Sequence, residues 1–155
     1  MLLVKKKIKN DFFLINGDSI FDINFFDLIP GIKNKSIGSI ALVKNKNYKQ
    51  NKKLSSLDIN KKDKKIIFKK NSKFMNGGVY FFKKKFLNKI KKNNFSLEND
   101  LLETLISQNK INGKIFNNFF IDIGTPKNLM IAQKVLKQKF FRPAIFLDRD
   151  GVLNY

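Results

Sequence analysis

The chain has 155 residues with a formal net charge of +20, and 43% of its residues are hydrophobic. This length and apolar content allow one domain with a real core, and they exclude a disordered chain. The sequence contains no His and no Cys. Any metal must therefore bind oxygen ligands, which favours Mg²⁺ or Mn²⁺. No segment approaches the roughly 20 apolar residues that span a bilayer, and the charges at the start follow the apolar residues, the wrong order for a secretory signal. We expect a cytoplasmic location and no membrane partner.

The basic charge comes almost entirely from lysine, since Arg142 and Arg149 are the only arginines. Recognition of phosphates and bases in two-pronged geometry favours arginine. Lys, Asn, Ile and Phe are abundant together, and all four have AT-rich codons, so a base bias explains the composition. We therefore predict no nucleic-acid partner. A basic nucleic-acid-associated protein is the alternative, and it would require steeply salt-dependent binding.

The first half of the chain predicts strands with one short helix between them. The apolar run 12–16 ends at Gly17-Asp18 and predicts a buried strand. A short helix is expected over 24–29, followed by a strand over 36–43. The runs 54–58 and 65–68 predict a hairpin, and 79–82 predicts a strand preceded by Asn76–Gly78.

The second half alternates helices and strands. A short basic helix is expected over 84–91, and a longer one begins after Ser96, with apolar residues on one stripe to about residue 108. Strands follow over 113–117 and 119–123. Thr125-Pro126 predicts the start of a helix that runs to about 138, and 144–147 predicts a last buried strand. This order indicates an α/β fold, mostly parallel, with an antiparallel insertion around 54–82.

Two acidic residues follow predicted strands. Asp18 comes just after the first strand, and Asp122 lies near the end of another, before a helix start. Ligands of open α/β sheets bind at the carboxyl ends of the strands. Two carboxylates there could hold one divalent cation between a nucleotide and a sugar phosphate. A turn-forming or capping role for each aspartate is the alternative.

Four short segments follow one another along the chain: Leu14–Asp18 (LINGD), Asn76–Tyr80 (NGGVY), Phe95–Asp100 (FSLEND) and Phe120–Pro126 (FIDIGTP). In this order they resemble the NGD, NAGIY, SLE-x-D and FIDIGTP segments of the sugar-1-phosphate nucleotidyltransferase family. The nearest branch is that of mannose- or heptose-1-phosphate guanylyltransferases. The resemblance implies a Rossmann-like, glycosyltransferase-A-like domain with a mixed sheet.

The resemblance also implies roles for individual residues. Asp18 and Asp122 would hold Mg²⁺ (or Mn²⁺), and Asn76 and Gly77 would contact the sugar through side chain and backbone. For Gly77 a plain bulge is the alternative. Glu98 would bind sugar hydroxyls; the alternative is that it is only a favourable acidic residue in the first turn of its helix. Lys70 also has an implied role. Lys70 would meet the 1-phosphate, although Lys69 and Asn71 replace the Glu and Pro of the family's EKP segment. The sugar 1-phosphate would attack the α-phosphate of a nucleoside triphosphate, giving a nucleotide sugar and pyrophosphate.

A second resemblance covers the end of the chain. Residues 144–154 (AIFLDRDGVLN) resemble the first motif of haloacid-dehalogenase-like phosphatases, in the histidinol-phosphate and heptose-bisphosphate branch. The resemblance implies that Asp148 is the nucleophile and Asp150 the general acid and base, with both residues at a Mg²⁺ site. An acidic turn after a strand is the alternative.

These resemblances predict a partial nucleotidyltransferase domain over 1–138, a linker over 139–143, and the start of a phosphatase domain over 144–155. The family's glycine-rich triphosphate loop has no match before Asp18, so we expect a fragment that is inactive on its own. Sugar 1-phosphate and nucleoside triphosphate would be partners of the longer parent, whose role would be synthesis of lipopolysaccharide or other surface polysaccharide precursors. A non-catalytic sugar-phosphate-binding or regulatory module is an alternative, as is a fragment of a heptose-bisphosphate phosphatase. The sequence does not indicate an oligomeric state.

Overall fold

A computed structural model of the chain describes residues 5–29, 35–44, 57–69, 72–90 and 96–141. The chain divides into two compact units, Met1–Ile121 and Asp122–Tyr155. In the described ranges, no helix is long and apolar enough to cross a membrane.

The first unit is built on a mixed six-stranded sheet with strand order β5-β4-β6-β3-β7, in which β1 also pairs with β6. Two further short strands, β2 and β8, form a separate two-stranded sheet. The strands are β1 (Phe12–Ile15), β2 (Ser19–Phe21), β3 (Gly38–Lys44), β4 (Leu57–Ile59), β5 (Ile66–Phe68), β6 (Phe74–Phe82), β7 (Ile111–Phe116) and β8 (Phe120–Asp122).

Most pairs in the six-stranded sheet are antiparallel. The pair β3–β7 is parallel, whereas β1–β6, β3–β6, β4–β5 and β4–β6 are antiparallel. The predicted mixed α/β fold and the predicted hairpin are therefore confirmed. The expectation of a mostly parallel sheet is wrong for the described strands, because the long strand β6 runs against each of its neighbours.

The strand β6 begins five residues earlier than predicted. It pairs with β3 along its length, with β1 over Val79–Phe82, and with β4 at Phe74. The register against β3 shifts between Ile40 and Leu42, which face Tyr80 and Asn76. The two glycines between these positions are extra residues of a bulge, so the strand continues through them. On the edge of β6 shared by β1 and β4, residues 75–78 have no registered strand partner among the described residues.

Alternate side chains of the sheet pack into two apolar clusters on its two faces. One contains Ile40, Leu42, Tyr80 and Phe82, together with residues of the helical segments. The other contains Ala41, Val43, Val79, Phe81 and Phe116, with Phe21 and Leu28 packed on them. This alternation follows from the two-residue period of a strand.

Short helical turns cover the sheet of the first unit. The predicted helices near 24–29 and 84–91 are 3₁₀ helices, Phe25–Leu28 and Lys84–Lys89. The predicted helix after Ser96 is a π-helical turn, Leu97–Leu102, followed by the short helix α1 (Glu103–Ser107). Its predicted apolar stripe is confirmed, because all five residues pack on the first cluster: Leu97, Leu101, Leu102, Leu105 and Ile106.

The second unit contains the helix α2 (Pro126–Phe140). Its predicted start is confirmed: Thr125 Oγ1 accepts the N–H of Asn128, and Pro126 is the first helical residue. Proline suits this position because its missing N–H would have no partner within the helix.

Candidate functional site

The end of β1 and the glycines of β6 lie in direct contact. The backbone N–H of Asn16 donates to the carbonyl of Gly78 at 2.8 Å, where β1 leaves β6 and the chain turns toward Asp18. Gly78 has φ of +72°, and a Cβ there would lie 2.9 Å from Ser19 Oγ and 3.1 Å from Asn16 Cβ. Only glycine adopts this backbone at so close an approach without strain. The structure therefore brings the first two resembling segments together.

Position 77 must be glycine because neighbouring groups pack closely against one side of its backbone. A Cβ at this position would lie 2.5 Å from the ring of Phe21 and 3.0 Å from the carbonyl oxygen of Ala41. The residue lies within the part of β6 that has no strand partner on the edge shared by β1 and β4. The backbone of Gly77 is therefore still expected to contact the sugar, as the sequence resemblance implies.

A hydrogen-bonded ring connects β6 to the π-helical turn. Asn76 Nδ2 donates to the Tyr80 hydroxyl at 2.6 Å and to Glu98 Oε1 at 3.2 Å. The Tyr80 hydroxyl lies 3.4 Å from the same Glu98 oxygen, and Asn76 Oδ1 accepts the N–H of Gly78 at 3.0 Å. The third resembling segment, which carries Glu98, thus joins the first two.

The Tyr80 hydroxyl is held in its protonated form. Burial raises the pKa of Tyr80 well above its ordinary value, and the charge and hydrogen bond of Glu98 raise it further. Hydrogen bonds from Asn76 and Asn16 act in the opposite direction and are outweighed. The hydroxyl therefore remains a hydrogen-bond donor throughout the neutral range.

The two predicted metal ligands lie in different units. Asp18 is exposed, with the Ser19 hydroxyl 3.5 Å from its Oδ1. Asp122 is half-buried, and its Oδ1 accepts the N–H of Gly124 at 2.7 Å. Within the described ranges, no three acidic side chains gather as a metal site would require by itself.

The sequence of the chain is similar to the sequences of known proteins. Over 128 residues, the chain is 30% identical to D-glycero-alpha-D-manno-heptose 1-phosphate guanylyltransferase of Campylobacter jejuni, covering 79% of this chain and 55% of that protein. The chain is similar to sugar-1-phosphate nucleotidyltransferases. It is also 30% identical over 149 residues to the bifunctional protein GlmU of Methanocaldococcus jannaschii, covering 90% of this chain and 35% of that one. No protein-family model matches the chain.

The nucleotidyltransferase fold is confirmed by solved structures. The crystal structure of HddC from Yersinia pseudotuberculosis superposes with a TM-score of 0.66 at 25% identity, covering 87% of this chain and 60% of HddC. A second HddC structure, complexed with GMP-PN, superposes with a TM-score of 0.64. The chain spans about half, or less, of the length of the curated nucleotidyltransferases it matches.

Three of the predicted site residues cannot be placed. Lys70, Asp148 and Asp150 lie outside the described residues, as does the whole phosphatase-like segment 144–155. No role was assigned from the sequence to Asn16 or Tyr80, which the structure places in the site. For Tyr80 a signal was present, because a tyrosine in a buried strand needs a partner for its hydroxyl.

Proposed function

We propose that this chain forms the sugar-phosphate side of a sugar-1-phosphate nucleotidyltransferase of the GDP-heptose or GDP-mannose type. One observation carries the proposal. The structure joins Asn16, the bulge at Asn76–Gly78 and Glu98 by hydrogen bonds, although these residues are far apart in the sequence. Similarity to the heptose 1-phosphate guanylyltransferase over most of this chain supports it.

The proposed reaction needs no nucleophilic side chain. An oxygen of the sugar 1-phosphate attacks the α-phosphorus of the nucleoside triphosphate and forms a new P–O bond. The bond from the α-phosphorus to the bridging oxygen breaks, and pyrophosphate leaves with that electron pair. Alignment and charge neutralisation supply most of the acceleration, which suits a chain that has neither His nor Cys.

Each site residue has a part in this proposal. The backbone of Gly77 and the Glu98 carboxylate bind the sugar, and Lys70 binds its phosphate. Asp18 and Asp122 would hold Mg²⁺, which would neutralise charge on the phosphates. The cytoplasm is the compartment we propose, with the product serving as a precursor of surface polysaccharide.

Titration calorimetry with D-glycero-α-D-manno-heptose 1-phosphate and MgCl₂ tests the binding step. We expect saturable binding that requires the phosphate, with free heptose as the comparison. Glu98→Gln should weaken binding about tenfold, because it replaces a charged hydrogen-bond acceptor at the sugar. Glu103→Gln, five residues further on, is the matched control. Equal affinity for the phosphate ester and for inorganic phosphate would contradict sugar recognition.

Mass spectrometry of a mixture with GTP tests the transfer step. Formation of a nucleoside diphosphate sugar would support a catalytic chain. Sugar-phosphate binding without product favours the non-catalytic binding or regulatory module, or a part of a larger enzyme.

A second proposed activity rests on the resemblance of residues 144–154 to a phosphatase motif. There Asp148 would attack the phosphorus of a sugar phosphate and form an aspartyl-phosphate, while the bond from phosphorus to the sugar oxygen breaks and Asp150 protonates that oxygen. Water, deprotonated by Asp150, would then hydrolyse the aspartyl-phosphate and release phosphate. Phosphate release from a heptose bisphosphate, lost in Asp148→Asn and retained in Asp122→Asn, is the expected result for a chain with this activity. Absence of phosphate release from the wild-type protein would overturn it.

A further inference from the structure

We infer that Tyr80 is a positioning residue of the sugar site. Together with Asn76 it fixes one oxygen of Glu98, so that the other oxygen accepts a hydrogen bond from a single hydroxyl of the sugar. The inference rests on the proposed function and deepens it. It also gives Asn76 a different role from direct contact with the sugar.

The polar groups of Asn76 are used inside the protein. Its two Nδ2 protons go to the Tyr80 hydroxyl and to Glu98 Oε1, at 2.6 and 3.2 Å. Its Oδ1 accepts the N–H of Gly78. An asparagine side chain offers two donors and a carbonyl oxygen with two lone pairs, so both donors of Asn76 and one of these lone pairs are used inside the protein. The donors of Asn76 therefore act on Tyr80 and Glu98 rather than on a ligand.

The Tyr80 side chain is buried and its hydroxyl is hydrogen-bonded inside the protein, so it cannot reach a ligand. It is 0% exposed, and its ring stacks on Phe82 at 5.7 Å. Its hydroxyl accepts hydrogen bonds from Asn76 and Asn16, and it donates its own proton to Glu98 Oε1. The raised pKa of Tyr80 keeps this proton in place at any pH at which the protein would work.

Glu98 is the member of the ring that can still bind something. Both internal bonds fall on Oε1, and no described residue donates to Oε2. Because a carboxylate only accepts hydrogen bonds, the group that meets Oε2 must be a donor, such as a sugar hydroxyl. Glu98 is half-buried in the free chain, and a bound sugar would cover Oε2. An acceptor covered without its donor is costly, so a site of this kind rejects the analogue that lacks the hydroxyl.

The first experiment needs no ligand. In a ¹⁵N–¹H spectrum of the full chain, Tyr80→Phe should shift the Asn76 side-chain NH₂ pair and speed its exchange with water. Ser39→Ala is the matched control: it also removes one buried hydroxyl, which donates to Leu28 O at 2.7 Å. Ser39 faces Phe81 in the strand register and so lies on the other face of the sheet. The control should leave the Asn76 pair unmoved.

The second experiment measures how well the site discriminates between sugars. D-Mannose 1-phosphate and its 2-, 3- and 4-deoxy analogues are titrated into wild type, Tyr80→Phe and Ser39→Ala. We expect the wild type to bind one deoxy analogue at least tenfold more weakly than the parent. In Tyr80→Phe this ratio should fall several-fold, whereas a merely structural role would lower all affinities together. Glu98→Gln should show the same loss of discrimination.

The outcomes separate this inference from the proposed function. The positioning role is overturned if Tyr80→Phe leaves the Asn76 NH₂ signals in place, or if it keeps the wild-type ratio of affinities between parent sugar and deoxy analogue. In either case the chain still binds sugar phosphates. If the wild type binds none of the four compounds, the proposed function is overturned, and so is the claim that Glu98 recognises a sugar hydroxyl. In that case the NH₂ spectra still test the hydrogen bonds among Asn76, Tyr80 and Glu98.

Discussion

At the residue scale, Gly78 is the position where the backbone of the site is most constrained. Its φ of +72° is unfavourable for any residue with a Cβ, and that Cβ would lie 2.9 Å from Ser19 Oγ. We expect Gly78→Ala to lower the free energy of unfolding by about 1–3 kcal/mol, measured by urea titration. Gly17→Ala is the control, because nothing lies within 4 Å of a Cβ there, and it should change stability by less than about 0.5 kcal/mol. Equal effects at both positions would contradict this argument.

Tyr80 should make folding sensitive to alkaline pH. Its pKa is raised in the folded chain above the value of about 10 for a free tyrosine. Between these two values the folded state holds a proton that the unfolded state has lost, so stability falls as pH rises above 10. Tyr80→Phe removes this contribution. Relative to wild type, the variant should therefore gain about 1.4 kcal/mol between pH 8 and pH 11. Parallel unfolding curves of the two proteins at both pH values would refute the assignment.

At the element scale, buried polar contacts tie the hairpin β4–β5 to β7. Ser36 is fully buried; its hydroxyl donates to Asn112 Oδ1 and accepts from Lys65 Nζ at 2.9 Å. The backbone N–H of Gly113 also donates to Lys64 O at 3.0 Å. These contacts hold the start of β5 beside β7, where a single isolated bridge joins the two segments.

Removing this hydroxyl should loosen the hairpin. We expect Ser36→Ala to cost about 1–3 kcal/mol, because it deletes a buried donor and acceptor together. Amide exchange should accelerate first in β5. The comparison is Ser107→Ala, whose exposed hydroxyl donates to Glu103 O at 2.9 Å and should matter by less than about 0.5 kcal/mol. Unchanged exchange in β5 would show that apolar packing alone holds the hairpin.

Elements that depend on local signals were predictable. Neighbouring residues alone predict the strand β1 and the cap formed by Thr125-Pro126, but the prediction that β1 is buried is wrong, since its residues are half-buried or exposed. The start of β6 was not, because its first residues are held in the sheet by β3, about 30 positions earlier in the chain. The Tyr80 ring was missed for the same reason: its partner Glu98 lies 18 residues away. Motif resemblance indicated that Asn76 and Glu98 belong to one site, but not that they contact each other.

At the scale of the whole molecule, one sign of charge dominates. The chain carries 32 basic and 12 acidic residues. Two ion pairs are found among the described residues, Lys69–Asp58 and Lys114–Asp27, both at 2.9 Å. Exposed pairs of this kind contribute at most about 1 kcal/mol each. Repulsion among the remaining lysines should therefore oppose the compact state.

Added salt should consequently stabilise the fold. The screening length falls from about 30 Å at 0.01 M to about 10 Å at 0.1 M, so most repulsion is removed at modest ionic strength. We expect the melting temperature to rise on the order of 3 °C between 0.01 and 0.3 M NaCl, equivalent to about 1 kcal/mol for a chain of this length, and then to level off. Sucrose is the control, because it acts by exclusion from the surface and gives a rise that does not level off in this way. A melting temperature that falls as NaCl is added would mean that attraction between opposite charges outweighs the repulsion among lysines.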